Sequence, residues 1–585
     1  MMFSVKGDYP CCLVLLGWLL AYGVACPEIC SCVGESYAYC DNANITDDDV
    51  AFLVKEIPPK TTYLDLSHNQ ITQVTENMFS ELTEISVLDL SYNGISRFST
   101  DSFRSLHKVQ KIVLHHNNIT RLENRTFMYL PLLEQVDLSF NKIAFLDYCV
   151  FSSTPNFAKI LLNHNALANI TASLLASLVT LSHLDLSANV INSISGNAFS
   201  HLAGLKTLNL NNNSLTSVDM SSFAGMSVLE HLYLEFNNIS SVSRYSFESS
   251  KSTIKGIHLK HNRLKHIQTL VFRGAQELQM LDLSFNEIEN IENGAFGGLS
   301  LDVLQLEHNR LQEIPASLFS SCRKVRVLNL SNNLISTINT NSLDSIKNFI
   351  FEINLSYNAM ANLLAGIFNQ MPFLQTLNLA NNSISFIEDQ ALRDLRNLRH
   401  LDLSWNRLAA CSASMLSGVD VLTHLHLQYN PLITFSHPDF SARSSEVNIH
   451  LNLTVADLTS NSAVVRWPYK NGAQLYWSRF VNCVNSEHCP FRPQPEFLAA
   501  YETEVKLEGL DSDSVYYVCV NPAFKSEFLI VSQCIHFRTS KEIIVTTLPF
   551  VNLSTGAISS ASFLFDLKRI LITLLIAKLC CSFAK

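Results

Sequence analysis

From Thr61 to about Phe440, hydrophobic and polar positions follow one pattern. Two leucines or their equivalents flank a single residue, two more positions follow, and an asparagine closes the unit. The first copy is Tyr63-Leu64-Asp65-Leu66-Ser67-His68-Asn69 and the second is Val87-Leu88-Asp89-Leu90-Ser91-Tyr92-Asn93. The closing asparagine occurs sixteen times, at Asn69, Asn93, Asn117, Asn141, Asn165, Asn189, Asn213, Asn237, Asn262, Asn286, Asn309, Asn333, Asn358, Asn382, Asn406 and Asn430. The step is 24 residues, with two steps of 25 and one of 23. Ten residues after each asparagine stands a large apolar side chain, from Phe79 and Phe103 through Leu416 and Phe440. The irregular steps all fall after this second column, so length varies only on the outer limb, where a loop absorbs it. Self-similarity at such a period is the signature of a solenoid.

The pattern predicts the elements. Alternation across Leu-x-Leu is that of a short strand, with the leucines inward and the residue between them on the concave surface. Successive strands pair in parallel about 4.8 Å apart, so the repeats make an arc on the order of 70 Å. The asparagine amide is placed to bond backbone groups that otherwise would be buried unpaired. The phenylalanine column fills the convex side. LxxLxLxxN is the leucine-rich repeat pattern, and the chain resembles that family. The resemblance implies an α/β-type solenoid, a parallel β-sheet horseshoe of about 16 repeats over residues 61–450.

The two ends carry different signals. Residues 1–25 read as a secretory signal, with an apolar run from Cys11 to Val24 and small residues Gly23 and Ala25 before the cut. Cys26, Cys30, Cys32 and Cys40 follow in the segment 26–60, and in an exported chain they read as two disulfides closing the end of the core. A zinc site is the alternative. The spacing resembles the N-terminal cap of extracellular leucine-rich repeat proteins, which implies pairing of first with third and second with fourth. Toward the other end Asn430-Pro431-Leu432 opens like the family's second cap but lacks its cysteines, and 447–451 reads as a degenerate seventeenth strand.

Past Asn452 the period stops and short alternating runs appear. Residues 451–540 resemble an all-β fibronectin type III sandwich, on Trp467 as the strand tryptophan and Leu510 to Val518 as the corner bearing Tyr516. Cys519 with Cys534, and Cys483 with Cys489, are the expected local disulfides. A stalk, 541–560, leads to the apolar tail 561–585, which Lys578 interrupts. Fifteen residues from Ile570 to Ala584 are few for a membrane span, whereas small residues at Ser559 and Ser560, a spacer and a hydrophobic end have the form of a glycolipid-anchor signal. A short transmembrane helix and plain secretion are the alternatives.

Composition narrows the function. The net charge is −10 with no block of Lys or Arg, which argues against nucleic-acid binding. No HExxH, GxSxG or phosphate-binding glycine loop is present, so no enzyme and no cofactor is expected. Eleven Asn-x-Ser/Thr sequons stand at Asn44, Asn118, Asn124, Asn169, Asn212, Asn238, Asn329, Asn354, Asn381, Asn452 and Asn552. Asn329 and Asn354 fall between the leucines of adjacent repeats, where a glycan shields the concave face. Eleven cysteines remain outside signal and tail, an odd number. Cys322 and Cys411 sit in apolar columns and read as buried thiols, Cys149 as an exposed one.

Between the leucines the default residue is Asp or Asn, as at Asp65, Asp89, Asp137, Asp185, Asp282 and Asp402. Repeats eight, nine and eleven depart most, presenting Tyr233, Glu235 and Phe236, then His258, Lys260 and His261, then Gln305, Glu307 and His308. Aromatic residues flanked by charge suit an interface centre, against the alternative of tolerated surface variation. His68, His116, His164, His261 and His308 share the position before the asparagine, as pH-responsive groups or as solvated surface residues. From Cys26 to Ser540 the chain resembles cell-surface leucine-rich repeat proteins with a fibronectin module, such as the leucine-rich repeat neuronal and fibronectin leucine-rich transmembrane families, and insect connectin and chaoptin. The resemblance implies adhesion or co-receptor binding of a surface protein, homophilic or heterophilic, outside the plasma membrane. The alternatives are an innate-immune pattern receptor without a cytoplasmic domain and a secreted matrix protein.

Overall fold

A computed structural model of the chain describes residues 26–431 except 124, 148, 149, 152, 153, 176, 177, 220–222, 251, 412, 413 and 420. Beyond these it describes 434–435, 448–450, 454–459, 462–466, 473–479, 494–498, 504–508, 510, 514–522 and 533–539. The chain divides into two compact units at Leu453.

In the first unit one 19-stranded sheet runs from end to end. Ser31–Val33 and Tyr37–Tyr39 pair antiparallel, and every later strand joins in parallel, beginning with Tyr63–Asp65 against Tyr37–Tyr39. Register is kept residue for residue, so Leu208, Leu232, Ile257 and Leu281 lie side by side. Stacking like on like buries the inward columns completely: Leu64, Leu66, Leu88, Leu90 and the ring column Phe79, Phe103 and Phe127 are all 0 % exposed. The last strand, Asn448–His450, adds in parallel to His424–His426 as a seventeenth repeat strand.

The asparagines tie coil to coil. Asn213 donates from Nδ2 to Leu186 O at 2.9 Å in the preceding coil and to Leu210 O at 3.1 Å in its own. Its Oδ1 accepts from Ile191 N at 3.0 Å. The same set recurs from Asn69 to Asn406, and it satisfies backbone groups that the tight turn leaves inside the core.

The outer limb differs from an α/β reading. Among the described residues it carries a four-residue helix at Ala172–Leu175, a 3-10 turn at Glu248–Ser250, and two-residue strands paired in twos, such as Gln73–Val74 with Arg97–Phe98. A limb this short, with its ends pinned by the strand and the ring column, leaves no length over which a helix is stable. The 3-10 turn lies in the 25-residue step between Asn237 and Asn262 and takes up its extra residue.

Disulfides Cys26–Cys32 and Cys30–Cys40 close the N-terminal end, in the pairing the resemblance implied. Beside them lies the helix Asp47–Glu56, which buries Val50, Leu53 and Val54. Thr46 N donates to Asp49 Oδ2 at 2.8 Å, and three aspartates in the first turn face the positive end of the helix dipole. Cys322 is buried as its column suggested, and burial pushes its thiol up to about 11. Cys149 lies outside the described residues.

In the second unit, Thr454–Ala456, Ser462–Arg466 and Glu504–Glu508 form one antiparallel sheet. Gln494–Leu498, Ala473–Arg479, Ser514–Pro522 and Gln533–Thr539 form another, in that order. Alternate residues Ala463 and Val465, and Tyr516 and Val518, are buried. The register sets Cys519 opposite Cys534. Trp467, Cys483, Cys489, Asn452, Asn552, Ser559, Ser560, the signal and the tail lie outside the described residues.

Removing one asparagine tie strands a donor and two acceptors in the core. Asn213→Ala is expected to cost roughly 2–4 kcal/mol, read as a lowered denaturant midpoint of the solenoid; an unchanged midpoint would show the ties are dispensable.

Candidate functional site

The residue between the leucines has a structural task in most coils. Asp65 Oδ1 accepts from Ser67 N at 2.9 Å, Asp185 Oδ1 from Ser187 N at 2.9 Å, and Asn354 Oδ1 from Ser356 N at 3.1 Å. This short side chain fastens the backbone two residues on. The consensus is therefore local bonding. Where the residue is Tyr233, His258 or Gln305 that bond is given up and a larger, half-buried side chain stands on the sheet face.

Register brings the released residues together. Tyr233, His258, Asp282 and Gln305 stand in one row on four adjacent strands. Two residues further along each chain, on the same face, are Glu235, Lys260, Ser284 and Glu307. Tyr233 stacks on the His258 ring with centroids 4.6 Å apart. Gly256, between His231 and Met280 on the neighbouring strands, makes room for the rings. A Cβ there would come within 2.8 Å of His231 Nδ1 and 3.1 Å of His258 Nε2.

The patch gathers half-buried charges around the buried Asp282. Glu235 Oε1 lies 3.8 Å from His258 Nδ1, and its Oε2 accepts from Asn211 Nδ2 at 3.2 Å. Asn329 Nδ2 donates to Glu307 Oε2. Lys260 directs its ammonium over the Phe285 ring, 4.9 Å from the centroid. Gln305 Oε1 is buried and accepts no hydrogen bond. Burial first, and the Asp282 charge second, raise Glu235 and Glu307 above the usual carboxylate value, against the pull of Lys260. Burial likewise pushes His258 below the ordinary imidazole value, with Asp282 opposing.

Phe236 and His261 belong to a second column. Sequence reading grouped them with the patch, but the residue before each asparagine is left-handed in all sixteen coils, with φ between 51° and 59°. A side chain branched at Cβ does not fit that backbone, and none occurs there. Twelve of these positions are aromatic or histidine, and all but Tyr357 stack on a neighbour in the column. His68, Tyr92, His116, Phe140 and His164 form one ladder with centroids 4.1 to 4.3 Å apart. Phe236, His261, Phe285 and His308 form another at 4.1 to 4.4 Å, and Trp405 stacks on Tyr429 at 3.9 Å. Phe140, Phe236, Tyr357 and Trp405 are exposed. Sequence reading noticed the histidines of this column and missed the ladder. The signal available was that seven of the eleven remaining members are flat rings.

Asp282 is the other residue missed. It carries the consensus letter and looked like scaffold, yet it sits between His258 and Gln305 and is 8 % exposed. Among the sequons, Asn44, Asn118, Asn169 and Asn212 are exposed, while Asn238, Asn329, Asn354 and Asn381 are partly buried. Asn329 and Asn354 do lie in the sheet row, each accepting from the backbone two residues on. Asn124 is outside the described residues.

The leucine-rich repeat family model matches residues 56–95, 84–143, 155–215, 203–253, 252–311, 300–360, 350–408 and 373–432, more than half of the chain. The chain belongs to the leucine-rich repeat family. No curated protein matches it significantly. Among solved structures it is similar to Toll of Drosophila in complex with Spatzle, at 23% identity and a TM-score of 0.60. That match covers 71% of this chain and 56% of the other, so the chain spans little more than half of its length. It is also similar to a leucine-rich repeat protein of Leptospira interrogans, at 25% identity and a TM-score of 0.54, over 67% of this chain and 95% of that one. These likenesses are of fold. Among the described residues no helix of this leucine-rich repeat protein is long and apolar enough to cross a membrane.

Because the folded value of Glu235 lies above its ordinary 4.5, ionisation costs stability: the penalty is absent below pH 4.5 and full above the raised value. Glu235→Gln is expected to raise the melting temperature at neutral pH and to leave it unchanged below pH 4.5, in thermal melts across pH. A pH-independent offset would refute the electrostatic cause. His258 runs the other way: its neutral form is favoured, and that contribution is present above 6.5 and lost as pH falls.

Proposed function

We propose that this leucine-rich repeat protein binds another protein at the cell surface, as an adhesion molecule or co-receptor, through the patch built on Tyr233, Glu235, His258, Lys260, Gln305 and Glu307 with Phe236 and His261 beside it. The observation that carries the reading is the replacement of the bonding Asp or Asn by Tyr233 and His258 on neighbouring strands and by Gln305 just beyond Asp282. Rings flanked by charges are what interface centres use. Phe236, exposed in the second column, extends the apolar surface beside Tyr233.

The rest of the chain supports a surface location. The second unit, with three strands in one sheet and four in the other, has the strand count of a fibronectin type III module, and Tyr516 is buried as a corner tyrosine would be. Facing Cys519 and Cys534 suit a disulfide, which an exported chain forms. The apolar tail with Ser559 and Ser560 reads as a glycolipid-anchor signal. A second reading, an innate-immune receptor, draws on the similarity to Toll, whose structure holds Spatzle as a partner.

Full-length protein on non-adherent cells, mixed with labelled parental cells, tests the first reading. Clustering of expressing cells is expected, reduced by Tyr233→Ala with Phe236→Ala; recruitment of parental cells indicates a heterophilic partner. No clustering at all would favour a receptor for a soluble ligand. Phosphatidylinositol-specific phospholipase C is expected to release the protein from the cells, and retention would favour a membrane-spanning tail.

A further inference from the structure

Three donors of different chemistry converge at the centre of the patch. Glu235, His258 and Asp282 come from three adjacent strands, and one ligand atom of each lies within 4.8 Å of the other two. We propose that these residues bind a divalent transition-metal ion of the zinc class. Ligands around tetrahedral zinc sit roughly 3.4 Å apart, at bond lengths of about 2.0–2.2 Å. The set is thus about an ångström from closure, and His258 Nδ1 is already 3.8 Å from Glu235 Oε1.

The site is built rather than incidental. Asp282 is 8 % exposed, and its Oδ1 is held by Ser284 N at 2.9 Å and Ser284 Oγ at 2.6 Å. Hydrogen bonds of this kind orient a ligating carboxylate. Parallel register fixes the spacing of the three strands, so only side-chain rotation separates the observed set from a closed one. The charge balance also favours a cation. Glu235 and Asp282 bring carboxylate oxygens within 4.8 Å of each other, while the Lys260 ammonium lies over the Phe285 ring. Next to Asp282 in the row, one strand away, Gln305 holds a buried Oε1 with no hydrogen-bond partner. The imidazole decides the class of ion, since calcium and magnesium prefer oxygen alone whereas zinc accepts nitrogen and carboxylate together. Three protein ligands leave a coordination position open, as in zinc sites that bind a further group. The site lies within the proposed binding patch but does not depend on adhesion: metal uptake and cell clustering are read separately, so either can fail alone.

Isothermal titration of zinc chloride into the full chain, secreted without a histidine tag and freed of metal by chelator, tests the site at neutral pH. One tight equivalent is expected, with calcium chloride giving none. Glu235→Gln, His258→Asn and Asp282→Asn should each weaken it by roughly tenfold or more. Asp282→Asn keeps the fold, because Asn329 and Asn354 make the same backbone bond in their own coils. Other histidines, such as His400 and His424, supply weaker equivalents that the three substitutions leave in place. The proposal is overturned if the wild-type chain takes up no tight equivalent, or if Glu235→Gln with His258→Asn takes up zinc as the wild type does.

Discussion

The fold depends on an asparagine amide that bonds to backbone on both sides. Each one donates to a carbonyl of the preceding coil and to one of its own, and accepts an amide of the preceding coil. Every partner is main chain, so the tie is indifferent to which side chains the neighbouring coils display. It also demands a tight turn, and that turn holds the residue before it in the left-handed region, where flat rings, asparagine and alanine are found. One bond thus accounts for the period, for the strand register and for an exposed column of stacked rings.

A second, smaller bond governs what the sheet face can say. An Asp or Asn between the leucines fastens the backbone two residues on, and a coil that keeps it presents little else. Coils that relinquish it display a larger group while the asparagine tie holds the strand in place. The patch around His258 tolerates desolvated carboxylates on this basis: their cost is local, and the surrounding ties and leucine columns carry the stability.

Much of the solenoid is legible in one dimension because its contacts repeat in one dimension. Asn213 and Phe79 could be placed from spacing alone, as could the strand at 448–450, since each occupies a column with many copies. The patch on coils eight, nine and eleven was legible for the opposite reason, as departures from a column. What escaped had no such contrast. Asp282 conforms to its column while its neighbours do not, so only register reveals that it faces His258. The ladder from His68 to His164 mixes histidine, tyrosine and phenylalanine, chemically unlike residues that share a shape. The helix Asp47–Glu56 precedes the first repeat and is outside the period, although Thr46 and Asp49 marked its start.

The spacing of the rings bears on how such a chain changes over time. Adjacent rings stand 4.1 to 4.3 Å apart along the His68 ladder but 5.6 to 6.5 Å apart along the phenylalanine column from Phe79 to Phe127, so each coil is a wedge, thin at the sheet and thick behind. Duplicating or deleting one wedge leaves every tie intact and displaces everything beyond it by a single strand. Two recognition residues can therefore be moved apart in discrete steps, and turned relative to each other by the wedge angle, without redesigning any contact in the core. Unequal exchange between 24-residue segments that share this pattern would shift the spacing of surface residues in this way.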